Sequence, residues 1–259
     1  MNPSYGVSLA RMMQVVSKGI QTFIGPAHLQ CCCCGEAKRI SGWNPLGVCQ
    51  TCLDGFPWIT DVVCPICGRG EACPDCLRQE QRYLARNRSA VRYDEAMKEL
   101  LARYKYRSDE RLQQLMGRML VHAYRLYPKT GGAGSPFDYI SYVPVSSERY
   151  EERGFNQAEQ MALVVAGQVN LPVVSLLART RHTDKQSFKS RKERADNLQG
   201  AFAVIPGRAA KLQAHAKRRD LRILLVDDVY TTGSTLNQCA LELRRELPAA
   251  QVYGLCWAR

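Results

Sequence analysis

The chain has 259 residues, 46% of them apolar, and a formal net charge of +12. That is ordinary for a globular protein and enough for one large domain, or a medium domain with a small one. The charge favours anionic partners, phosphorylated metabolites or nucleic acid, while the absence near the start of ~18 consecutive apolar residues, or of an apolar run after a charged start, excludes a membrane span and an export signal and sets a cytoplasmic location as the expectation.

The N-terminal segment, 1–30, places Leu9, Met12, Met13, Val16 and Ile20 on one helix face, so a short helix is expected, docked on the body or on a membrane surface. Ten of the twelve cysteines then fall between Cys31 and Cys76. With no export signal, such clustering points to metal rather than disulfides. Four C-x-x-C pairs can be read: Cys31/Cys34, Cys49/Cys52, Cys64/Cys67 and Cys73/Cys76. Each supplies two thiolates from one tight turn, so four pairs make two tetrahedral zinc sites. Sequential pairing is the simplest, and an interleaved one stays open. With every position filled by cysteine, no place is left for a catalytic water, so the sites read as structural. Residues 31–77 are expected to form a small double zinc ribbon held largely by metal. Cys239 and Cys256, far away in apolar surroundings, read as buried free thiols.

The arginine-rich stretch LRQEQRYLARNRSA, 77–90, has few core residues and reads as a solvated connector, a basic linker over 78–90. Beyond it, AMKELLARYKY and RLQQLMGRMLVHAYRLY carry helical spacing, KTGGAGSP is a loop, and FDYISYVPV is a strand broken by Pro144. NQAEQMALVVAGQV is helical and PVVSLLAR strand-like. PGRAAKLQAHAKRRD reads as a linker, LRILLVDDV as a strand covered on both sides, STLNQCALELRRELP as a helix and QVYGLCWAR as a final strand. Alternating strands and helices over 91–259 predict an α/β domain with a parallel sheet flanked by helices.

Ligands of such sheets bind beyond the carboxyl ends of the strands. Asp227 and Asp228 stand at one such end, and YTTGST leads from them into a helix starting near Ser234. Unpaired N–H groups at a helix start, hydroxyls of Thr231, Thr232, Ser234 and Thr235, and close backbone approach at Gly233 make a phosphate site. Two carboxylates beside a phosphate suit a phosphorylated sugar: they accept from ribose hydroxyls and help hold Mg²⁺. The lysine of a Walker A loop is missing, and there is no G-x-G-x-x-G.

ILLVDDVYTTGSTL, a hydrophobic strand, two acids and a Thr/Gly/Ser loop, resembles the 5-phosphoribosyl-1-pyrophosphate (PRPP) motif of type I phosphoribosyltransferases. With ERGFNQAEQMA, RTRHTDKQSFKSRKERADNLQGAF and the cysteine pairs, the chain resembles the ComF family, competence-associated proteins similar to phosphoribosyltransferases. The resemblance implies a type I phosphoribosyltransferase-like domain. Asp227, Asp228 and Arg153 would be catalytic. Tyr230, Thr231, Thr232, Gly233, Ser234, Thr235, Arg149, Gly154 and Asn156 would join the acids in holding PRPP. Arg179, Lys185, Gln186, Arg191, Arg194 and Asn197 would belong to a flap over the site, and Lys105 and Arg107 would reach its mouth. The implied cofactors are structural zinc and Mg²⁺ with PRPP. The implied partners are PRPP or another phosphoribosyl ligand, single-stranded DNA and proteins of the competence machinery, with a role in natural transformation.

Overall fold

A computed structural model describes residues 30–37, 46–77, 81–106, 109–128, 134–180, 198–215 and 220–259. The expected N-terminal helix, Arg107 and the flap positions Lys185, Gln186, Arg191, Arg194 and Asn197 lie outside these. The chain forms two compact units, Met1–Leu53 and Asp54–Arg259. No helix among the described residues is long and apolar enough to cross a membrane.

Within Met1–Leu53, Cys31 and Cys34 occupy a turn closed by a hydrogen bond from the Gly35 amide to the Cys31 carbonyl, 2.8 Å. Gly35 takes φ +77°, which its missing Cβ permits. Cys49 immediately precedes helix α1 (Gln50–Gly55) and Cys52 lies in it.

The second unit begins with another cysteine turn and the single-turn helix α2 (Pro74–Leu77), followed by strand β1 (Leu84–Val91) and helices α3 (Glu95–Tyr106) and α4 (Glu110–Arg125). Strand β2 (Tyr139–Tyr142) leads into α5 (Ser147–Arg153) and α6 (Gln157–Val169). The short strands β3 (Leu177–Arg179) and β4 (Phe202–Val204) pair antiparallel as a separate ribbon. Helix α7 (Arg208–His215), strand β5 (Arg222–Val229), helix α8 (Ser234–Glu246) and strand β6 (Gln251–Ala258) complete the fold.

The main sheet runs β1-β6-β5-β2 with every pair parallel, so all four carboxyl ends share one edge. This is the expected α/β sheet flanked by helices. The period of two along β5 assigns its neighbours. Ile223 and Leu225 join Leu236, Cys239, Ala240 and Leu243 of α8 in one core. Leu224 and Val226 turn to the opposite face, where α6 lies. On that side Trp257 of β6 donates its indole N–H to Met119 of α4, 3.3 Å.

Two expectations need correction. The connector reading fails over 84–90, which belongs to β1. Its polar residues are buried because the second cysteine turn supplies their partners. The Asn87 amide donates to the Ile66 carbonyl (2.6 Å), its side-chain NH₂ to the Cys67 carbonyl (3.2 Å), and Arg88 to the Pro65 carbonyl (3.1 Å). An edge strand is thereby covered. Gly68 permits the approach, since a Cβ there would lie 2.5 Å from the Asn87 carbonyl oxygen. The linker reading of 206–220 likewise gives way over Arg208–His215, a helix that buries Ala209 and Leu212.

Helices α4 and α6 pack closely at Gly117, where a Cβ would come 2.6 Å from Cγ1 of Val164. Val164 is β-branched and has few rotamers into which to retreat. Gly117→Ala is therefore expected to lose about 1–3 kcal/mol through overpacking, despite its better helix propensity. Urea unfolding checks this; a midpoint at or above wild type contradicts the packing argument.

Candidate phosphoribosyl site

Asp227 and Asp228 end the buried run of β5, and because they are adjacent in a strand they point to opposite faces. Their surroundings differ accordingly. Asp228 turns toward α3 and forms an ion pair with Lys105. Burial alone would raise its pKa, but the Lys105 charge and hydrogen bond override this, with help from Arg153, and hold the carboxyl below its usual range. Asp227 turns toward the α8 face. Burial, and next the Asp228 charge, push its pKa up to about 8, opposed by the Asp228 amide, Lys105 and Arg179. The Asp228 amide donates to Asp227 Oδ1 at 2.8 Å. One acid is thus held ionised while the other keeps its proton near neutrality.

The loop after β5 reaches α8 through Gly233, whose φ of +80° is left-handed. No side chain caps α8, so its first turn keeps N–H groups for a ligand. Thr232 and Ser234 share a hydroxyl contact of 2.8 Å, and the Ser234 amide approaches Thr232 Oγ1 at 3.4 Å. Thr231 is exposed and Thr235 half-buried. Tyr230 is placed differently. It is buried beneath the loop, and a Cβ on Gly233 would collide with its hydroxyl. The Arg259 guanidinium lies over its ring at 4.8 Å and donates from Nη2 to Cys73 Sγ at 3.9 Å.

The arginines come from the short helix α5. The Ser146 side chain accepts from the Arg149 amide, and Gly154 closes the other end at φ +77°. Arg149 and Arg153 are one turn apart on it. Arg153 donates to Gln157 Oε1 (3.0 Å) and the Tyr106 hydroxyl (3.3 Å), and lies over the Tyr106 ring at 5.2 Å. Asn156 caps α6, accepting from the Ala158 amide at 3.0 Å and donating to the Val143 carbonyl at 3.1 Å, so it fixes the turn that aims Arg153. Arg179, at the end of β3, stacks on Phe202 at 5.3 Å. Burial first, then the Arg149 charge, lower its pKa, while Asp227 opposes. The charges of Lys105, Arg153 and Arg179 therefore act on the acid pair, and that of Arg149 on Arg179. Tyr106 and Arg259 escaped sequence reasoning; the position of Arg259 just past the carboxyl end of a strand was a usable signal.

The cysteine sulphurs form two groups, Cys31/Cys34/Cys49/Cys52 and Cys64/Cys67/Cys73/Cys76, with ligand atoms within 4.8 Å of one another. Either could hold a tetrahedral zinc ion with no open position. The grouping is sequential. No cysteine forms a disulfide, and Cys239 and Cys256 are buried thiols.

Two outcomes are expected. The native state keeps the Asp227 proton to higher pH than the unfolded chain does. Stability is therefore lost as pH rises from the unfolded pKa, about 4, through about 8. Asp227→Asn removes this loss and should gain ~1–2 kcal/mol at pH 8.5, shrinking toward pH 5. Thermal unfolding at both pH values checks it, and a gain independent of pH contradicts it. Because Arg259 ties Cys73 to the floor of the loop, Cys73→Ser or Arg259→Met should speed amide exchange over 231–235 about tenfold. Cys31→Ser should not. Hydrogen-exchange mass spectrometry reads the difference, and equal effects from all three variants would refute the tie.

No family model matches the chain. It is 32% identical to Competence protein ComFC of Bacillus subtilis (strain 168) over 217 residues, 79% of this chain and 81% of that protein. It is 29% identical to DNA utilization protein YhgH of Escherichia coli (strain K12) over 234 residues, 87% of this chain and 96% of that one. Among solved structures, adenine phosphoribosyltransferase from Leishmania tarentolae covers 58% of each chain at 16% identity and TM-score 0.30. At 32% identity over four fifths of both sequences, the chain belongs to the ComF family of competence proteins.

Proposed function

We propose that the protein binds PRPP with Mg²⁺ and transfers its phosphoribosyl group to a nitrogen nucleophile, acting in the cytoplasm in DNA uptake. The observation that carries this reading is the acid pair at the end of β5, followed by an uncapped helix start and subject to the charges of Lys105, Arg153 and Arg179.

The residues divide the work by charge. Amides and hydroxyls of Thr231–Thr235 hold the 5′-phosphate. Asp228, kept ionised by Lys105, accepts from a ribose hydroxyl. Asp227 holds a second hydroxyl and can ionise as positive charge grows on the ring. Arg149 and Arg153 receive pyrophosphate through bidentate contacts. The Nε of Arg153 and the Nε2 of Gln157 are buried without hydrogen-bond partners among the described residues, two donors suited to an arriving anion. Mg²⁺, when bound, would neutralise charge on the leaving pyrophosphate, and Asp227 and Asp228 are the residues that would help hold it. The C1–O bond breaks with its electrons on pyrophosphate, the nitrogen lone pair forms the new C1–N bond, and the nitrogen's proton goes to water. Gathering charged partners in fixed geometry supplies much of the acceleration. The segment containing Lys185, Gln186, Arg191, Arg194 and Asn197 would close over the site and exclude water.

A second reading is a protein that senses PRPP without turnover, or binds single-stranded DNA beside other competence proteins. The net charge of +12 and the relative named DNA utilization protein YhgH favour it. Isothermal titration of the full chain with PRPP and Mg²⁺ tests the primary site. The wild type should bind, and Asp227→Asn with Asp228→Asn should weaken binding ~100-fold or more. Failure of the wild type to bind, or unchanged affinity in the double variant, would sink the proposal. Pyrophosphate release with an added acceptor separates the enzyme from the sensor.

A further inference from the structure

Four cysteines stand in an unbroken run, Cys31–Cys34, yet only Cys31 and Cys34 belong to the first group of sulphurs. Cys32 and Cys33 fall inside the first C-x-x-C turn, and the turn treats them differently. Its base is pinned: the Cys31 amide donates to the Glu36 carbonyl at 3.0 Å, and the Gln30 side chain to the Gly35 carbonyl at 2.7 Å. Cys32 is tied by both its polar groups. Its amide donates to the Gly47 carbonyl (3.3 Å) and its thiol to the Leu46 carbonyl (3.7 Å). Its sulphur is thereby engaged by backbone.

Cys33 is half-buried and turns to the group of four. Burial first, then hydrogen bonding with Cys49 and the charge of Cys33, push the pKa of the Cys52 thiol up, and the Cys33 thiol also lies in hydrogen-bonding reach of Cys52. A fifth sulphur therefore rests against one of the four, on a residue next to another of them. The four are not held equally. Cys31 and Cys49 are buried, and the Cys49 amide donates to the Cys31 sulphur at 3.2 Å. Cys34 is exposed, its sulphur 3.9 Å from that of Cys49. An exposed thiolate is the one that oxidants and alkylating agents meet first. The second group has no such surplus. Pro65 and Ile66 separate Cys64 from Cys67, and Pro74 and Asp75 separate Cys73 from Cys76.

We propose that Cys33 is a reserve ligand of the first centre: it replaces Cys34 when that exposed thiolate is lost, and zinc stays bound to Cys31, Cys33, Cys49 and Cys52. The exchange spans little distance. Consecutive Cα atoms are ~3.8 Å apart, so neighbouring side chains on one turn can reach the same point. A tetrahedral site takes four thiolates, so one of the five sulphurs always waits outside. As Cys33 forms its bond to the metal, Cys34 gives up its own. The Cys33 proton passes to the departing Cys34 thiolate, which leaves the charge of the centre unchanged. Where Cys34 has been alkylated, that proton goes to water. The first centre thus tolerates the loss of one ligand, and the second does not.

The test counts zinc on the full chain. Native mass spectrometry should show two ions, one for each group. Under excess EDTA, Cys34→Ser should release zinc within ~threefold of the wild-type rate, while Cys33→Ser with Cys34→Ser should release one ion ~100-fold faster. Cys73→Ser, which removes a half-buried ligand with no spare beside it, should also release one ion fast. Rapid loss from Cys34→Ser overturns the proposal, and so does slow loss from the double variant. Cys32→Ser with Cys34→Ser should behave as Cys34→Ser alone; rapid loss there would move the role to Cys32 and overturn the assignment. A second measurement needs no substitution. N-ethylmaleimide, below one equivalent, adds a thiolate sulphur across its double bond. Wild-type chains alkylated once at Cys34, located by fragmenting the same intact ions, should still carry two zinc ions. If they carry one, the proposal falls.

Discussion

The guanidinium of Arg259 joins three parts of the molecule that sequence order keeps apart. Its backbone closes the end of the sheet, donating to the Val91 carbonyl (3.0 Å) and accepting from the Tyr93 amide (2.8 Å). Its side chain lies over Tyr230 and reaches Cys73. A four-thiolate centre with one divalent ion keeps net negative charge, so a nearby arginine is favourable there and helps satisfy the sulphurs. Tyr230 in turn lies directly under Gly233, at the turn into α8. Metal centre, loop floor and sheet end therefore share one arginine, and a change in any of them is felt by the others.

The acid pair shows how the fold sustains an unfavourable arrangement. Two adjacent carboxylates at the end of a buried strand repel one another and lose water. The pleat separates them by face, and each face answers with different cations. Lys105 meets Asp228 directly. Asp227 has no such ion pair among the described residues, and burial and the Asp228 charge raise its pKa to about 8. The unequal pKa values are thus a consequence of strand geometry, and they give the site one fixed acceptor and one group whose charge can change with the ligand.

What was legible in the sequence follows from how local each signal is. ILLV followed by two acids and a hydroxyl loop needs only neighbours along the chain, and so does each C-x-x-C turn. Lys105 could be singled out, but its partner Asp228 is more than a hundred residues away, and no spacing announces that pairing. Strand β1 was hidden because a reader expects a strand to be apolar. Asn87 and Arg88 are buried against the Cys64–Cys67 turn, whose carbonyls accept from them, a tertiary fact. Helix α7 was obscured by the polar residues around two core positions, Ala209 and Leu212. Arg259 carried the weakest signal, one arginine among many, and its role depends wholly on the register that sets Ala258 beside Val91 and Val229.

The two cysteine groups, alike in sequence, differ in what they hold. Cys31, Cys34, Cys49 and Cys52 fall within Met1–Leu53. Cys64, Cys67 and Cys76 instead share a core with Leu84 of β1 and with Leu236, Cys239 and Leu243 of α8. Metal bound by the second group would contribute its free energy to the same packing that aligns the loop after β5. This group also covers the edge of β1, where its turn accepts hydrogen bonds from the buried side chains of Asn87 and Arg88. A helix or another strand could cover that edge equally well. The cysteine turn does so while also presenting Cys73 to Arg259, and that second contact makes it part of the site's support.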